Sequence, residues 1–583
     1  MTQDEFMGRK PPCDLVLKGG NVSDIVYPSA IVELAKHYRF GSIGGTSAGA
    51  IGAAIAAAGE YARETGGFLR VAAIPGQVAD HLFDKFQPTP KLKPVFDMVI
   101  AAFTKKTSLG GVFAVIVAAL RGYAGIMFCG ALPGLLVIFF AVFSRDEGWL
   151  AFGVLSAVLG ALFFLALRLS CAITKTLPAA NFGLCSGQTL PGNPNAALTD
   201  WLADTIDKVA GNVDANDVPG RPLSFGDLKR RNIELAMMTS DLSMSRPYQL
   251  PFREGPECAQ HFFSRADFAR LFPPRVMEEL CRNQQQMPVP PGWTDCPTDL
   301  FAFPQSADLP IIVAARLSLS LPGIFQAVPL YKRDLTLRHG IDQPRRCLFS
   351  DGGLTSNFPI HFFDRLWPNS PTFAISFDDY SDARHNDGTK EIRVEMATDP
   401  AQGEYLPILP ISGIVGFVSR LLDCARNWQD NLQSVLPGYR ERIVHVHLKP
   451  DEGGFNLKMP RPTFDRLVRF GEMAGALPAG PDFNMDEHRW RRFLVAMAEI
   501  EQTLGGIVDA YEKEGVIGGN FRDFLRRYGG SDDYPPRDQD WRREMLRRAV
   551  RLVALGRQWK KQPTINSGNV PKPDCDLRLT PQQ

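Results

Sequence analysis

The pentapeptide Gly45-Thr46-Ser47-Ala48-Gly49 sets a serine between two glycines, at the end of an apolar stretch and directly before an alanine-rich run. This G-x-S-x-G order suits a strand that turns sharply into a helix and leaves the serine hydroxyl exposed at the bend. Gly45 and Gly49 meet the steric demand of such an elbow, where a Cβ would collide with neighbouring backbone. The helix expected over roughly Ala48 to Ala58 aims its first amides and the positive end of its dipole at the hydroxyl. The chemistry implied is nucleophilic attack by Ser47.

A serine nucleophile needs a base. One route is a Ser-His-Asp triad, which would recruit one of His81, His261, His339, His361, His385, His445, His447 and His488. None of these sits in a glycine-framed loop, and His445 and His447 lie two apart in an expected strand, on one sheet face. The other route runs through Phe349-Ser350-Asp351-Gly352-Gly353, in which Asp351 ends a strand and two glycines let the backbone turn against another segment. An aspartate is a poor base in water, so Asp351 could serve only if desolvated and within hydrogen-bond reach of the hydroxyl. An isolated D-G-G also fits an ordinary turn.

The elements that must position these residues read as α/β. "CDLVLKGG" (13–20) reads as a buried strand, "PSAIVELAKHYR" (28–39) as a helix with proline in its first turn, and "FGSIGG" as a second strand. Gly19, Gly20 and Ser47 then fall at carboxyl ends of parallel strands, where sites in such sheets form. Further on, "NPNAALTDWLADTIDKVAG" reads as a capped amphipathic helix and "IIVAARLSLSLPGIF" as a helix broken at Pro322. "NIELAMMTSDL", "RRCLFSDGG", "TFAISFDD" and "ERIVHVHL" read as strands. Beyond Asp482 the pattern is helical, ending in a basic stretch from Asp540 to Lys561 that suits a solvated face packed on its own domain or a membrane-surface helix. The tail after Gln562 has the composition of a disordered segment.

An apolar block interrupts this texture. Between Gly110 and Leu167 the charged residues are Arg121, Arg145, Asp146 and Glu147. They divide the block into Gly110–Leu120, which is too short to span a bilayer and suits an interfacial or re-entrant segment, and two longer runs, Gly122–Ser144 and Gly148–Leu167. As helices the longer runs extend about 34 and 30 Å, enough for a hydrocarbon core of about 30 Å. The alternative is a pair of buried core helices. Lys105, Lys106, Arg121, Arg168 and Lys175 flank the outer ends, which orients a hairpin with both ends on the cytosolic side.

The 583 residues carry 64 Lys and Arg against 63 Asp and Glu, so no net charge points to nucleic acid. Ten cysteines without C-x-x-C or paired Cys/His spacing argue against zinc, redox motifs and a disulfide scaffold. Met1 to Asp14 lacks the apolar core of a secretory signal.

Taken together, the early glycine pair, G-x-S-x-G after the second strand, D-G-G some 300 residues later and "ARLSLSLPGIFQAVP" before it resemble the patatin-like phospholipases. The resemblance spans roughly 13–70 and 180–450, and Asn357 and Pro359 match the family's stretch after D-G-G. It implies a three-layer α/β/α acyl hydrolase using a Ser-Asp dyad, with neither metal nor cofactor. Ser47 would be the nucleophile, Asp351 the base, and amides of the Gly19, Gly20, Asn21 and Ala48 region the oxyanion hole. The family's oxyanion loop reads G-G-G-x-R/K-G, whereas here Gly19-Gly20-Asn21-Val22-Ser23-Asp24 keeps two glycines and lacks the basic residue.

The expected organisation is a first patatin-like part (13–105), a membrane-inserted hairpin (106–175), a second patatin-like part with the catalytic aspartate (176–450), a helical C-terminal region (482–561) and a tail (562–583). The expected protein is an integral membrane protein of the bacterial inner-membrane type. It acts on phospholipid or another acyl-ester lipid from the cytosolic side, with no nucleic-acid partner. A catalytically impaired patatin-like scaffold that binds lipid or a partner protein, and a Ser-His-Asp esterase, are the alternatives.

Overall fold

A computed structural model describes residues 1–583 except 21–24, 105–107, 254–259, 283, 289–295, 335, 337–342, 398–405, 454–458, 516–518, 529–536, 565–570 and 573–583. Most of the tail expectation therefore lies outside the described residues.

The chain opens with β1 (Pro12–Leu17), α1 (Val26–Ala35), β2 (Arg39–Thr46) and α2 (Ala48–Tyr61), followed by α3 (Gly67–Val78) and α4 (Lys93–Thr104). Two long helices come next, α5 (Ser108–Ser144) and α6 (Glu147–Cys171), the second running through a π turn at Ala172–Thr176. After them come α7 (Leu198–Ala210), β3 (Glu234–Asp241), β4 (Arg246–Leu250), β5 (His261–Ser264), β6 (Leu300–Ala302), α8 (Ile311–Ser318), β7 (Val328–Arg333) and β8 (Pro344–Asp351). The remainder is β9 (Thr372–Asp379), β10 (Val394–Glu395), α9 (Gly413–Ser434), β11 (Ile443–Leu448), α10 (Arg461–Ala476), α11 (Met485–Glu512) and α12 (Gln539–Trp559).

One mixed sheet organises the body, in the order β10-β11-β9-β1-β2-β3-β8-β7-β5-β6, with β4 paired to β3. The run β11-β9-β1-β2-β3 is parallel, and the outer strands join antiparallel. The order reverses at β1, since β2 and β3 extend one way and β9 and β11 the other, and this puts a crevice at the carboxyl ends of β1 and β2. Side chains alternate across the sheet as strand geometry requires. Leu15 and Leu17 enter the large core shared with α1, α2, α7, α8 and α10. Val16 enters a smaller core closed by Phe358, Ile360 and Phe363. Helix α10 lies beyond the expected boundary at 450 yet belongs to the large core through Phe464, Leu467 and Phe470.

The apolar block forms a helical hairpin. Arg145 turns the chain with a φ of +53°, and the Asp146 carboxylate caps α6 by accepting from the Gly148 and Trp149 amides at 2.9 and 3.2 Å. Small residues set the approach of the two helices: a Cβ on Gly134 would overlap the Ala157 backbone, and one on Gly130 the Gly160 carbonyl. Two apolar stretches, Gly110–Ser144 and Glu147–Ala179, are long and apolar enough to cross a membrane. Their outward side chains are open, with Phe113, Phe143 and Phe163 at 69%, 74% and 64% exposure, so the pair is not the buried core of this fold.

The first apolar segment is continuous with the second in α5, which breaks at Tyr123 (φ −122°, ψ 16°), and Gly122 packs on Pro94 of α4. At about 1.5 Å per residue α5 extends roughly 55 Å, so its lower part can pack on α4 while the upper part retains a span's length.

Candidate active site

Ser47 sits at the junction of β2 and α2 with a φ of +56° and ψ of −127°, a backbone state that side-chain-bearing residues rarely occupy. The elbow is held by tight packing. A Cβ on Gly45 would overlap the Gly49 carbonyl, and one on Gly49 would overlap the Leu17 and Lys18 carbonyls of the neighbouring strand end. The Ser47 amide donates to Ser318 Oγ at 3.0 Å, so α8 fixes the bend from the other side.

The Ser47 hydroxyl donates to Asp351 Oδ2 at 2.5 Å, joining residues 304 positions apart. Strand β8 brings Asp351 there, and three contacts fix its carboxylate and backbone. The Gly353 amide donates to Oδ1 at 2.7 Å, the Asp351 amide donates to the Ser320 carbonyl at 3.0 Å, and Ser240 Oγ donates to the Asp351 carbonyl at 2.9 Å. Burial pushes the Asp351 carboxyl from its ordinary 3.8 up to about 6, against the bonds from Ser47 and Gly353 and the Arg426 charge. The carboxylate is thereby a stronger base than a solvated aspartate and is still ionised at neutral pH.

Two residues with no sequence signal of their own hold the D-G-G turn. Asp430 of α9 is buried and accepts from the Asn357 and Phe358 amides at 2.7 and 2.8 Å and from Ser356 Oγ at 3.1 Å. Arg426, one helical turn earlier, donates from Nε to the Gly353 carbonyl at 2.9 Å. Asn357 ties this turn to the glycine loop, since its Nδ2 donates to the Gly19 carbonyl at 3.1 Å and its carbonyl accepts from the Gly19 amide at 2.7 Å. Asp430→Ala should cost roughly 2–4 kcal/mol by stranding two buried amides. Denaturant unfolding in detergent should show a lower midpoint, with Asp430→Asn intermediate; an unchanged midpoint would remove the clamp role.

One amide of the glycine loop is taken up by the turn. The Gly19 amide is already used by Asn357, Gly20 lines the cavity beside Ser47, and Asn21 lies outside the described residues. Ala48 opens α2, and the third amide of the helix, Ala50, already donates to the Ser47 carbonyl at 2.9 Å. Lys18, at the root of the loop, reaches Ser376 Oγ at 2.9 Å and Asp378 Oδ1 at 3.2 Å.

A cavity of about 140 Å³ opens at Ser47 and is walled by Ile51 and Ile55 of α2, with Val78, Trp201 and Phe325 further along. One lining residue, Phe325, leads to the segment that follows the hairpin. Phe325 pairs with Cys185, just past α6, and Phe86 packs on Phe325 at 5.4 Å between ring centroids. Buried Arg316 of α8 bridges that segment and the elbow, donating to the Gln326 carbonyl at 2.9 Å, the Ser186 carbonyl at 3.1 Å and Ser320 Oγ at 2.6 Å.

Among the described histidines, His81 and His488 pair with Asp84 and Glu441 at 3.0 and 3.1 Å. Asp351 is the hydroxyl partner of Ser47 among the described residues. His445 Nδ1 lies 2.8 Å from Asp378, and His447 Nε2 lies 2.8 Å from Glu395. His385, Glu395 and His447 are the group among the described residues whose ligand atoms lie close enough, within 4.8 Å, to hold a metal. They form a hydrogen-bonded stack. The Ser381 amide donates to His385 Nδ1 at 3.0 Å, which leaves the proton on Nε2, and the His385 and His447 rings stack 3.7 Å apart.

No family model matches the chain. Loose structural likeness extends to VipD from Legionella pneumophila (TM-score 0.27, 12% identity, 95% of this chain and 86% of that one). It also extends to full-length ExoU from the type III secretion system of Pseudomonas aeruginosa, in complex with SpcU (TM-score 0.20, 14% identity, 94% and 69%). Scores this low carry no argument about fold or activity. Sequence likeness is far stronger: the chain is 31% identical over 663 aligned positions to the RpoH suppressor of Rhizobium meliloti (strain 1021), covering 99% of this chain and 100% of that protein, and it belongs to that protein's family.

Proposed function

We propose that this protein is a membrane-anchored serine acyl-ester hydrolase of the patatin-like kind, acting on phospholipid or another acyl-ester lipid. The observation that carries the reading is the 2.5 Å bond from Ser47 Oγ to a buried Asp351, at a strained elbow that opens on an apolar cavity. Ser47 Oγ attacks the ester carbonyl while its proton passes to Asp351. The amides at Gly20 and Ala48 face the developing oxyanion, and the alcohol leaves with the proton from Asp351. Water then attacks the acyl-enzyme, gives its proton to Asp351 and frees the fatty acid, and the proton returns to Ser47 Oγ. The hairpin of α5 and α6 supports anchoring, with its outer ends and the α/β body on the cytosolic side.

One observation favours a second reading, a catalytically impaired scaffold at the membrane. The loop departs from G-G-G-x-R/K-G, and the Gly19 amide is committed to Asn357. A fluorophosphonate probe separates the two. It should modify the full-length protein on Ser47, as read by mass mapping of the elbow peptide. Folded protein that is never modified would leave the scaffold standing.

A further inference from the structure

Helix α9, which clamps the Asp351 turn, is amphipathic in the reverse sense. Arg426 and Asp430 face the protein, Arg420 and Asp423 pair with each other at 3.2 Å, and the large apolar residues face out. Ile414, Phe417, Val418, Leu421 and Leu422 recur at helical spacing and are 48% to 75% exposed. The stripe continues through Trp428 and Leu432, and Leu406, Ile408 and Ile411 extend it ahead of the helix. A face of this size left open in water marks a binding surface.

Two observations identify the occupant. The first is position. From α9 the contacts run through Gly353 to Asp351 and Ser47, and from Ser47 the cavity runs to Phe325, which pairs with the segment that follows the lipid-length hairpin. The apolar helix and the apolar hairpin are thus linked through the Ser47–Asp351 pair and the cavity beside it. The second is charge. From 406 to 434 two arginines, Arg420 and Arg426, balance two aspartates, Asp423 and Asp430. Nothing there selects an acidic or basic partner, and adsorption would proceed by apolar insertion into a leaflet.

We propose that the outward face of α9 lies in the lipid leaflet beside the hairpin, and that this seating holds the Asp351 turn over substrate drawn from the same leaflet. The seating is independent of chemistry; the second clause rests on the acyl-hydrolase reading. The test uses full-length protein in phosphatidylcholine vesicles, with an environment-sensitive NBD label on Leu421→Cys and the signal of the unsubstituted protein subtracted. The label should emit as in an apolar medium and be quenched by lipids with shallow nitroxides, equally at about 50 mM and about 500 mM salt. Water-like emission, or quenching lost at high salt, would overturn the seating. So would burial that appears in detergent and grows with protein concentration, the mark of a second copy on this face. For the catalytic clause, Phe417→Ser/Leu421→Ser should lower the ratio of bilayer-lipid turnover to soluble-ester turnover at least tenfold. An unchanged ratio would sink that clause. Wild type without turnover of either substrate would sink the hydrolase reading and leave the quenching result intact.

Discussion

Ser47→Ala should lower acyl-ester turnover at least about 1000-fold, because the nucleophile and its base act as a unit and neither substitutes for the other. The fold should survive, since alanine fills the same space and the elbow is held by glycine contacts, by Ser318 and by α2. The strained backbone adds a second readout. Alanine inherits the φ of +56° as unfavourably as serine does, whereas glycine occupies it freely. Ser47→Gly should therefore be as inactive as Ser47→Ala yet melt at a higher temperature, a gain on the order of 1 kcal/mol. Turnover in Ser47→Ala above a few per cent of wild type would place the nucleophile elsewhere.

Asp351→Asn should lose turnover at least about 100-fold and gain stability at neutral pH. The wild-type carboxyl holds its proton up to about pH 6 in the folded protein but only to its ordinary 3.8 in the unfolded chain. Between those values the native state binds more protons, so this group's contribution to stability falls as pH rises through the window and is flat above it. The interval corresponds to roughly 3 kcal/mol. An asparagine carries no such cost: its oxygen still accepts from Gly353, and its NH₂ donates to Ser47 Oγ. Unfolding midpoints of the two proteins should lie close near pH 4 and separate, with the variant higher, by pH 8. Wild-type kcat/KM should climb about tenfold per pH unit below pH 6 and level off above. A profile flat from pH 4 to 8, with the variant no more stable than wild type, would remove Asp351 as the base.

The sequence was most informative where short-range demands are strict. The first two strands and the elbow show because glycines bracket Ser47 and because a strand, a bend and a helix each leave a period in the residues between 13 and 61. The hairpin shows because spans need uninterrupted apolar length, and even the break at Tyr123 falls beside the charge at Arg121. Helix α8 ends at Ser318, four residues before Pro322, and its last residues meet the site: Ser318 Oγ accepts from the Ser47 amide and the Ser320 carbonyl from the Asp351 amide. The clamp by Arg426 and Asp430 leaves no mark, since each is an ordinary surface residue until the fold places it against the turn. The short strands β4 to β6 and the small strand β10 were equally silent, because two to five residues carry too little alternation to stand out.

The pairing of β2 with β3 has a consequence for the hairpin between them. Ser42 to Thr46, encoded before α5, lie in register with Glu234 to Met238, encoded after α6, in the middle of one continuous sheet. On the proposed membrane-anchored reading, the chain must come back to the compartment it left, so the parity of its crossings is fixed by hydrogen bonds far from any lipid. On that reading, deletion of either long helix alone would strand the two halves of the sheet on opposite sides of a bilayer, whereas removal of both would cost the proposed anchor but leave the halves free to meet.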